Sequence, residues 1–100
     1  MIIKNKNQIA HIILDSECVI SKAEADLEKL KSIFSGKIRQ IELDVSSVQE
    51  MDTAYFQLLL SLKATADQHN IHLIFQGNSD KIQQIGELYG IGVDTWQKTS

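Results

Sequence analysis

The acidic–hydroxyl pair Asp52-Thr53 is the part of this sequence whose residue types and position could carry chemistry. It follows an alternating apolar strand and a short polar turn, and it opens a leucine-rich helical segment. A hydroxyl at a helix N-terminus can cap free backbone N–H groups. A phosphate at the same place would be stabilised by those donors and by the helix dipole. Thr53 is therefore predicted to be either a helix cap or a phosphorylated residue, and Asp52 could itself supply the cap.

The sequence lacks the residue groups that a metal site or a reactive thiol would require. His11, His69 and His72 fall on different predicted elements, and no cysteine completes a ligand set, so we expect no metal site and no cofactor. Cys18 is the only cysteine, which excludes an intrachain disulfide and fits a reducing compartment. Its setting is more typical of a small buried residue than of a nucleophile.

Enzymatic catalysis is not predicted either. The carboxylates Asp44 and Asp52 could in principle act as an acid–base pair, but nothing else in the sequence supplies a substrate pocket. There is no Gly-rich phosphate loop, no nucleophile elbow and no zinc motif. The sequence favours a non-catalytic protein.

Composition indicates one ordinary globular domain over residues 1–100. The chain is 43% hydrophobic and 23% charged, which suffices for a single core. A net charge of −3 with ten scattered Lys and Arg argues against nucleic acid as a partner. The N-terminal apolar residues are interrupted by five polar ones at 4–8, so we expect no signal peptide, no membrane insertion and a cytoplasmic location.

The first half of the chain predicts a hairpin followed by a helix. Residues 2–3 and 9–14 read as strands joined by a polar turn at 4–8, and the second strand is apolar on both faces, which is typical of an inner strand. Ser21 begins a helix with Glu24 completing a capping box, and Gly36 stops it.

The second half alternates strands and helices. We expect a strand over 37–45, a helix from Thr53 to about residue 70, and a strand over 71–76. Residues 77–79 form a turn with an N-cap candidate. A third helix carries Ile82, Ile85 and Leu88 and ends near Gly90, after which residues 91–96 pack back.

The predicted order is β-β-α-β-α-β-α, an α/β fold. Strands separated by single helices imply right-handed crossovers and parallel pairing. We expect a small mixed sheet of four to five strands, with three to four helices mostly on one face and the hairpin as an antiparallel edge.

This order and the strand–turn–helix junction resemble the STAS domain family, named for sulphate transporters and anti-sigma-factor antagonists, and in particular its single-domain bacterial members. The matching stretches are Leu43-Asp44-Val45-Ser46, Met51-Asp52-Thr53-Ala54, Gln57-Leu58-Leu59-Leu60, Gly77-Asn78-Ser79 and Leu88-Tyr89-Gly90. The likeness covers about residues 37–92, and over the first 36 residues only the order of elements agrees.

The resemblance implies that Thr53 is the phosphoacceptor, with Asp52 and Asp44 as the neighbouring acidic residues. Tyr55 departs from the family, which usually has glycine there; it either blocks the close approach of a partner or replaces it with an aromatic contact. Met51 also flanks the site, where it would favour a docking surface if exposed, although it is equally suited to the core.

Ser46 has two roles open to it. It is more typical of a turn residue than of an alternative phosphorylation site. The resemblance also includes relatives that bind small molecules; for this chain to do so, Asp44, Ser46 and the helix start would have to line a concave pocket.

Three functions follow from the resemblance. The leading one is a partner-switching regulator of transcription of the anti-sigma-factor-antagonist type, whose partners are an anti-sigma factor acting as a serine kinase and a phosphatase. The second is a cytoplasmic accessory subunit of an ABC-type transporter that docks on the ATPase subunit. The third is a small-ligand or nucleotide-binding domain.

Overall fold

A computed structural model describes residues 1–88, which form an α/β domain around a four-stranded mixed sheet. The elements of this part of the chain are, in order, β1 (Ile2–Lys6), β2 (Ile9–Ile13), β3 (Glu17–Cys18), α1 (Ile20–Ile33), β4 (Gln40–Asp44), β5 (Glu50–Met51), α2 (Thr53–Gln68), β6 (His72–Gln76) and α3 (Asp80–Leu88). The predictions for Tyr89, Gly90 and residues 91–96 fall outside the described residues.

The sheet has the strand order β1-β2-β4-β6. The hairpin β1–β2 is antiparallel, whereas β2–β4 and β4–β6 are parallel. The predicted order of the main elements, the antiparallel edge and the inner position of β2 are all confirmed. Sequence reasoning missed β3 and β5, which pair with each other in parallel over two residues, because a two-residue strand has no periodicity to detect.

The core lies between one face of the sheet and the three helices. Ile12, Leu43 and Phe75 stand side by side across the sheet and are buried on that face. Phe56 of α2 and Ile82 of α3 belong to the same buried cluster. Two parallel crossovers through α1 and α2 thus bring both helices onto one face, as predicted.

Two element boundaries differ from the prediction at the N-terminal end. The hairpin turn is shorter than residues 4–8, because β1 continues to Lys6 and only Asn7 and Gln8 form the turn, with φ of 54° and 65°. Positive φ at both central residues gives the strand twist a two-residue hairpin needs. The Ser21–Glu24 capping box was wrong: α1 begins at Ile20, and its N-cap residue, Val19, makes no side-chain capping bond.

The turn after β6 depends on Gly77. This residue has φ of +80°, and a Cβ added to it would lie 2.7 Å from Ser46 Cβ and 3.2 Å from Ser46 Cα. The two loops at the carboxyl ends of β4 and β6 therefore touch only because position 77 has no side chain.

Gly77→Ala is expected to lower the free energy of unfolding by roughly 2–3 kcal/mol, from the positive φ and the clash together. Urea unfolding followed by far-UV circular dichroism measures this. Gly36→Ala is the matched control, since a Cβ there meets only the Ile33 carbonyl oxygen, at 3.8 Å. Equal losses in the two variants would contradict the assignment of a special role to Gly77.

None of the helices within residues 1–88 combines the length and apolar character needed to cross a bilayer.

Candidate functional site

The site is built where β5 leads into α2. Asp52 is the N-cap residue of α2, with extended backbone angles, and its amide donates to the Cys18 carbonyl oxygen at 3.1 Å. Thr53 is the first residue of the helix and is exposed. The predicted start of α2 at Thr53 is thus correct, and of the two caps left open by the sequence the structure selects Asp52.

The Asp52 carboxylate serves two helices at once. Its Oδ1 accepts the Tyr55 amide of α2 at 2.9 Å, and its Oδ2 accepts the Ile20 amide at the start of α1 at 2.7 Å. The first residues of a helix carry N–H groups without helical partners, and a carboxylate both satisfies them and complements the helix dipole. This contact supplies the α1 cap that the sequence placed at Ser21.

Because Asp52 provides the cap, the Thr53 hydroxyl is not required for it. An exposed hydroxyl at the first helical position is accessible to a modifying enzyme. A phosphate attached there would lie next to the helix N-terminus, which favours it, and next to Asp52, which repels it.

Tyr55 points into the protein, which overturns the expectation of an aromatic group at the surface. Its side chain is 1% exposed, and its hydroxyl donates to the Asp26 carboxylate of α1, itself only 7% exposed. Burial, reinforced by the hydrogen bond to Asp26, raises the pKa of Tyr55 far above its usual range. The side chain therefore neither covers the approach to Thr53 nor offers a contact to a partner.

Asp26 was not identified from the sequence. The signal was present, because Asp26 is three residues after Ala23 and four before Leu30, on the apolar side of α1. A carboxylate on a buried helix face needs a partner, but the sequence does not say which of the many donors supplies it.

A groove of about 370 Å³ runs between the start of α2 and one side of α3. It is lined by Met51, Asp52, Thr53, Lys81, Gln84, Ile85 and Leu88. Met51 is half-buried, so it packs against the core and also borders the groove. The structure thus brings three of the predicted site residues together and adds an α3 face that sequence reasoning did not include.

One exposed apolar side chain lines the groove, and a second belongs to a residue whose amide donates to Asp52. Leu88, expected to pack with Ile82 and Ile85, is instead 80% exposed, whereas those two are buried. Ile20, whose amide binds Asp52, is 68% exposed. Protein–protein contact sites are typically apolar patches bordered by polar residues. Leu88 and Ile20 supply exposed apolar area next to the polar groups of Asp52 and Thr53.

Asp44 and Ser46 do not line this groove. Asp44 Oδ1 accepts both the Ser46 amide at 2.9 Å and the Ser46 hydroxyl at 2.6 Å, which closes the turn after β4. Ser46 is exposed and lies against Gly77. In this structure the pair shapes the turn, as predicted for Ser46, and neither residue is among those that line the groove at the start of α2.

The histidines are dispersed. His11 Nδ1 lies 3.7 Å from Glu42 Oε2 on the sheet face opposite the core, and His69 Nδ1 lies 2.9 Å from the Thr65 carbonyl oxygen. Within residues 1–88, no three potential ligand side chains are grouped so as to hold a metal ion.

Solved structures share this fold. One is described as the anti-sigma factor antagonist SpoIIAA in its unphosphorylated form, with a TM-score of 0.81, 16% sequence identity, and coverage of 98% of this chain and 85% of that one. The phosphorylated form of the Bacillus cell fate determinant SpoIIAA gives a TM-score of 0.78 at 17% identity, covering 98% and 88%. A sulfate transporter family protein from Wolinella succinogenes gives 0.74 at 12% identity, covering 91% and 73%.

The architecture therefore defines the chain as an α/β domain of the STAS fold. A family model described as "Mlab, STAS domain" matches residues 5–94. The chain belongs to the STAS domain family. No curated protein sequence matches it significantly.

Proposed function

We propose that this protein is a non-catalytic regulator of the anti-sigma-factor-antagonist type, acting in the bacterial cytoplasm and switched by phosphorylation of Thr53 by a partner kinase. The observation that supports it most directly is that capping and the exposed hydroxyl belong to two different residues at the start of α2. Asp52 holds the helices, and Thr53 stands exposed beside it with its hydroxyl not needed for the cap.

Charge would be the signal. A phosphate adds about −1.5 to −2 charges at neutral pH. Repulsion from Asp52 and attraction by the helix N-terminus are each on the order of 1 kcal/mol at a wet surface, so neither unfolds the domain. At an interface, an uncompensated buried charge costs several kcal/mol. A micromolar contact has a binding free energy of about 8 kcal/mol, so the cost of the buried charge is enough to release a partner.

The surface around Thr53 suits such a contact. Ile20 and Leu88 supply exposed apolar area, and the polar groups of the groove lie between α2 and α3. An anti-sigma factor with kinase activity would bind the unmodified surface and leave the phosphorylated one, and a phosphatase would reset it.

We expect protein purified from its native cells with phosphatase inhibitors to contain a fraction carrying one phosphate, mapped to Thr53 by intact-mass and peptide mass spectrometry. Thr53→Val is the control, because an exposed residue outside the cap should change the free energy of unfolding by no more than about 0.5 kcal/mol. It should carry no phosphate. Phosphate on Ser46 or Ser47 instead, or none under any growth condition, would contradict the switch.

A second function rests on the same surface without phosphorylation. The fold is shared with a sulfate transporter family protein, and an accessory subunit of an ABC-type transporter could dock on its ATPase through Ile20, Leu88 and the groove. Absence of phosphate, together with co-purification of an ATPase that is lost in a Leu88→Glu variant, would favour this function.

A further inference from the structure

Lys81 is the cationic residue among those that line the groove between the start of α2 and α3. It lies in the first turn of α3 and lines the groove together with Thr53 and Asp52. Lys81, Ile85 and Leu88 are spaced by four and three residues, so they share the face of α3 that borders the groove. The charged side chains among the groove's lining residues are those of Asp52 and Lys81.

The start of α3 is anchored to the segment that leads into β5 and α2. The Ser79 hydroxyl donates to the Val48 carbonyl oxygen at 3.1 Å and accepts the Ile82 amide at 3.4 Å. Ser79 is buried, and it confirms the N-cap candidate predicted in this turn. Because these bonds fix α3 against the loop before β5, Lys81 is held on a backbone with a defined position beside Thr53.

The two charged groups of the groove differ in their hydrogen bonding and ion pairing. Both oxygens of Asp52 already accept backbone N–H groups. Lys81 is exposed, and among the ion pairs of residues 1–88, which use the lysines Lys31 and Lys63, none involves it. The ammonium group of Lys81 is therefore available to a new anion, whereas Asp52 is committed.

We propose that Lys81 is the counter-charge that receives a phosphate on Thr53, an inference that rests on Thr53 being the modified residue. A phosphate oxygen paired with an ammonium group forms a charge-assisted hydrogen bond, stronger than one between neutral groups. Modification then changes the groove twice: it adds negative charge and it engages the cation that the unmodified groove presents. Lys81 also offsets the repulsion between the phosphate and Asp52.

The test uses the full chain with phosphothreonine incorporated at position 53 during translation, so no kinase is needed. The ³¹P chemical shift is followed against pH to give the pKa of the second phosphate ionisation. A nearby cation favours the doubly charged form, so Lys81→Gln should raise that pKa by about half a unit or more at low salt. The difference should shrink in high salt, where exposed pairs are screened.

Lys37→Gln is the matched control. Lys37 is also exposed but precedes β4, at the opposite end of the strand from the site, and its removal should leave the phosphate pKa unchanged. Circular dichroism establishes that each variant is folded. Identical titrations for Lys81→Gln and the parent protein, or equal shifts in both variants, would overturn the proposal.

The two experiments distinguish a failure of the proposed function from a failure of the role given to Lys81. If native protein carries no phosphate, the switch fails whatever the titration shows. If native protein is phosphorylated on Thr53 but Lys81→Gln titrates like the parent, the switch stands and the role of Lys81 is refuted.

Discussion

Tyr55→Gly is expected to lower the free energy of unfolding by about 4–6 kcal/mol, because it removes a buried aromatic side chain and places glycine inside a helix. Tyr55 is among the largest fully buried side chains of residues 1–88. Domains of this size are stable by about 5–15 kcal/mol, so much of the variant would be unfolded. Urea unfolding followed by circular dichroism measures the effect.

Tyr55→Phe separates the ring from the hydroxyl. It keeps the packing but leaves the buried Asp26 carboxylate without the donor it has in the native protein. An unsatisfied buried acceptor costs about 1–3 kcal/mol, so this variant should fall between the native protein and Tyr55→Gly. Replacing Asp26 with leucine in the Tyr55→Phe background should recover part of the loss, since both polar partners are then gone.

A Tyr55→Gly variant that stays stable would assign Tyr55 a different role. If Tyr55→Gly kept its stability and bound a partner more tightly, the tyrosine would act as a barrier on the approach path, one of the two roles that the family resemblance suggested. The burial of Tyr55 in the structure argues against this, because a side chain that is 1% exposed offers a partner almost no surface to meet.

Tyr55 and Thr53 show which features of the site can be predicted from the sequence and which cannot. Periodicity and capping rules located α2, its Asp52 cap as one of two options, and the Ser79 cap of α3, because these depend on residues a few positions apart. The inward direction of Tyr55 follows the helix period, since Tyr55, Leu59 and Leu62 lie on one buried stripe of α2. Its hydrogen-bond partner, Asp26, is 29 residues away in another helix. A single sequence carries no record of that pairing.

The same limit applies to the site. The sequence identified Asp52 and Thr53 because they are adjacent and open a helix. Lys81 lies in another helix, and it joins the groove only because the two crossovers place α2 and α3 side by side. The α1 start was misplaced for the same reason, since the group that binds the Ile20 amide belongs to a residue 32 positions later.

Asp52→Ala is expected to lower the free energy of unfolding by about 2–4 kcal/mol, because one carboxylate makes two charge-assisted bonds to helix N-termini. An ordinary N-cap would affect its own helix alone. Here, hydrogen exchange should accelerate at two amides in separate helices, Tyr55 in α2 and Ile20 in α1.

Asp52→Asn is the graded control, since the amide keeps one oxygen acceptor and loses the other. We expect about half the loss of Asp52→Ala, with protection retained at one of the two amides. Asp44→Ala removes a carboxylate that serves only its own turn, and it should leave the Ile20 amide protected. Faster exchange confined to α2 in Asp52→Ala would contradict the two-helix role.

The double role of Asp52 makes it unsuitable for testing the Thr53 switch. A loss of partner binding in Asp52→Ala would not show that Asp52 contacts the partner, because the change also loosens the starts of two helices beside Thr53. Thr53→Val and Lys81→Gln avoid this difficulty, since both side chains are exposed and neither caps a helix. If a partner recognises the charge of this surface, its binding should change in these two variants. The hydrogen bonds that Asp52 accepts from both helices stay intact in them.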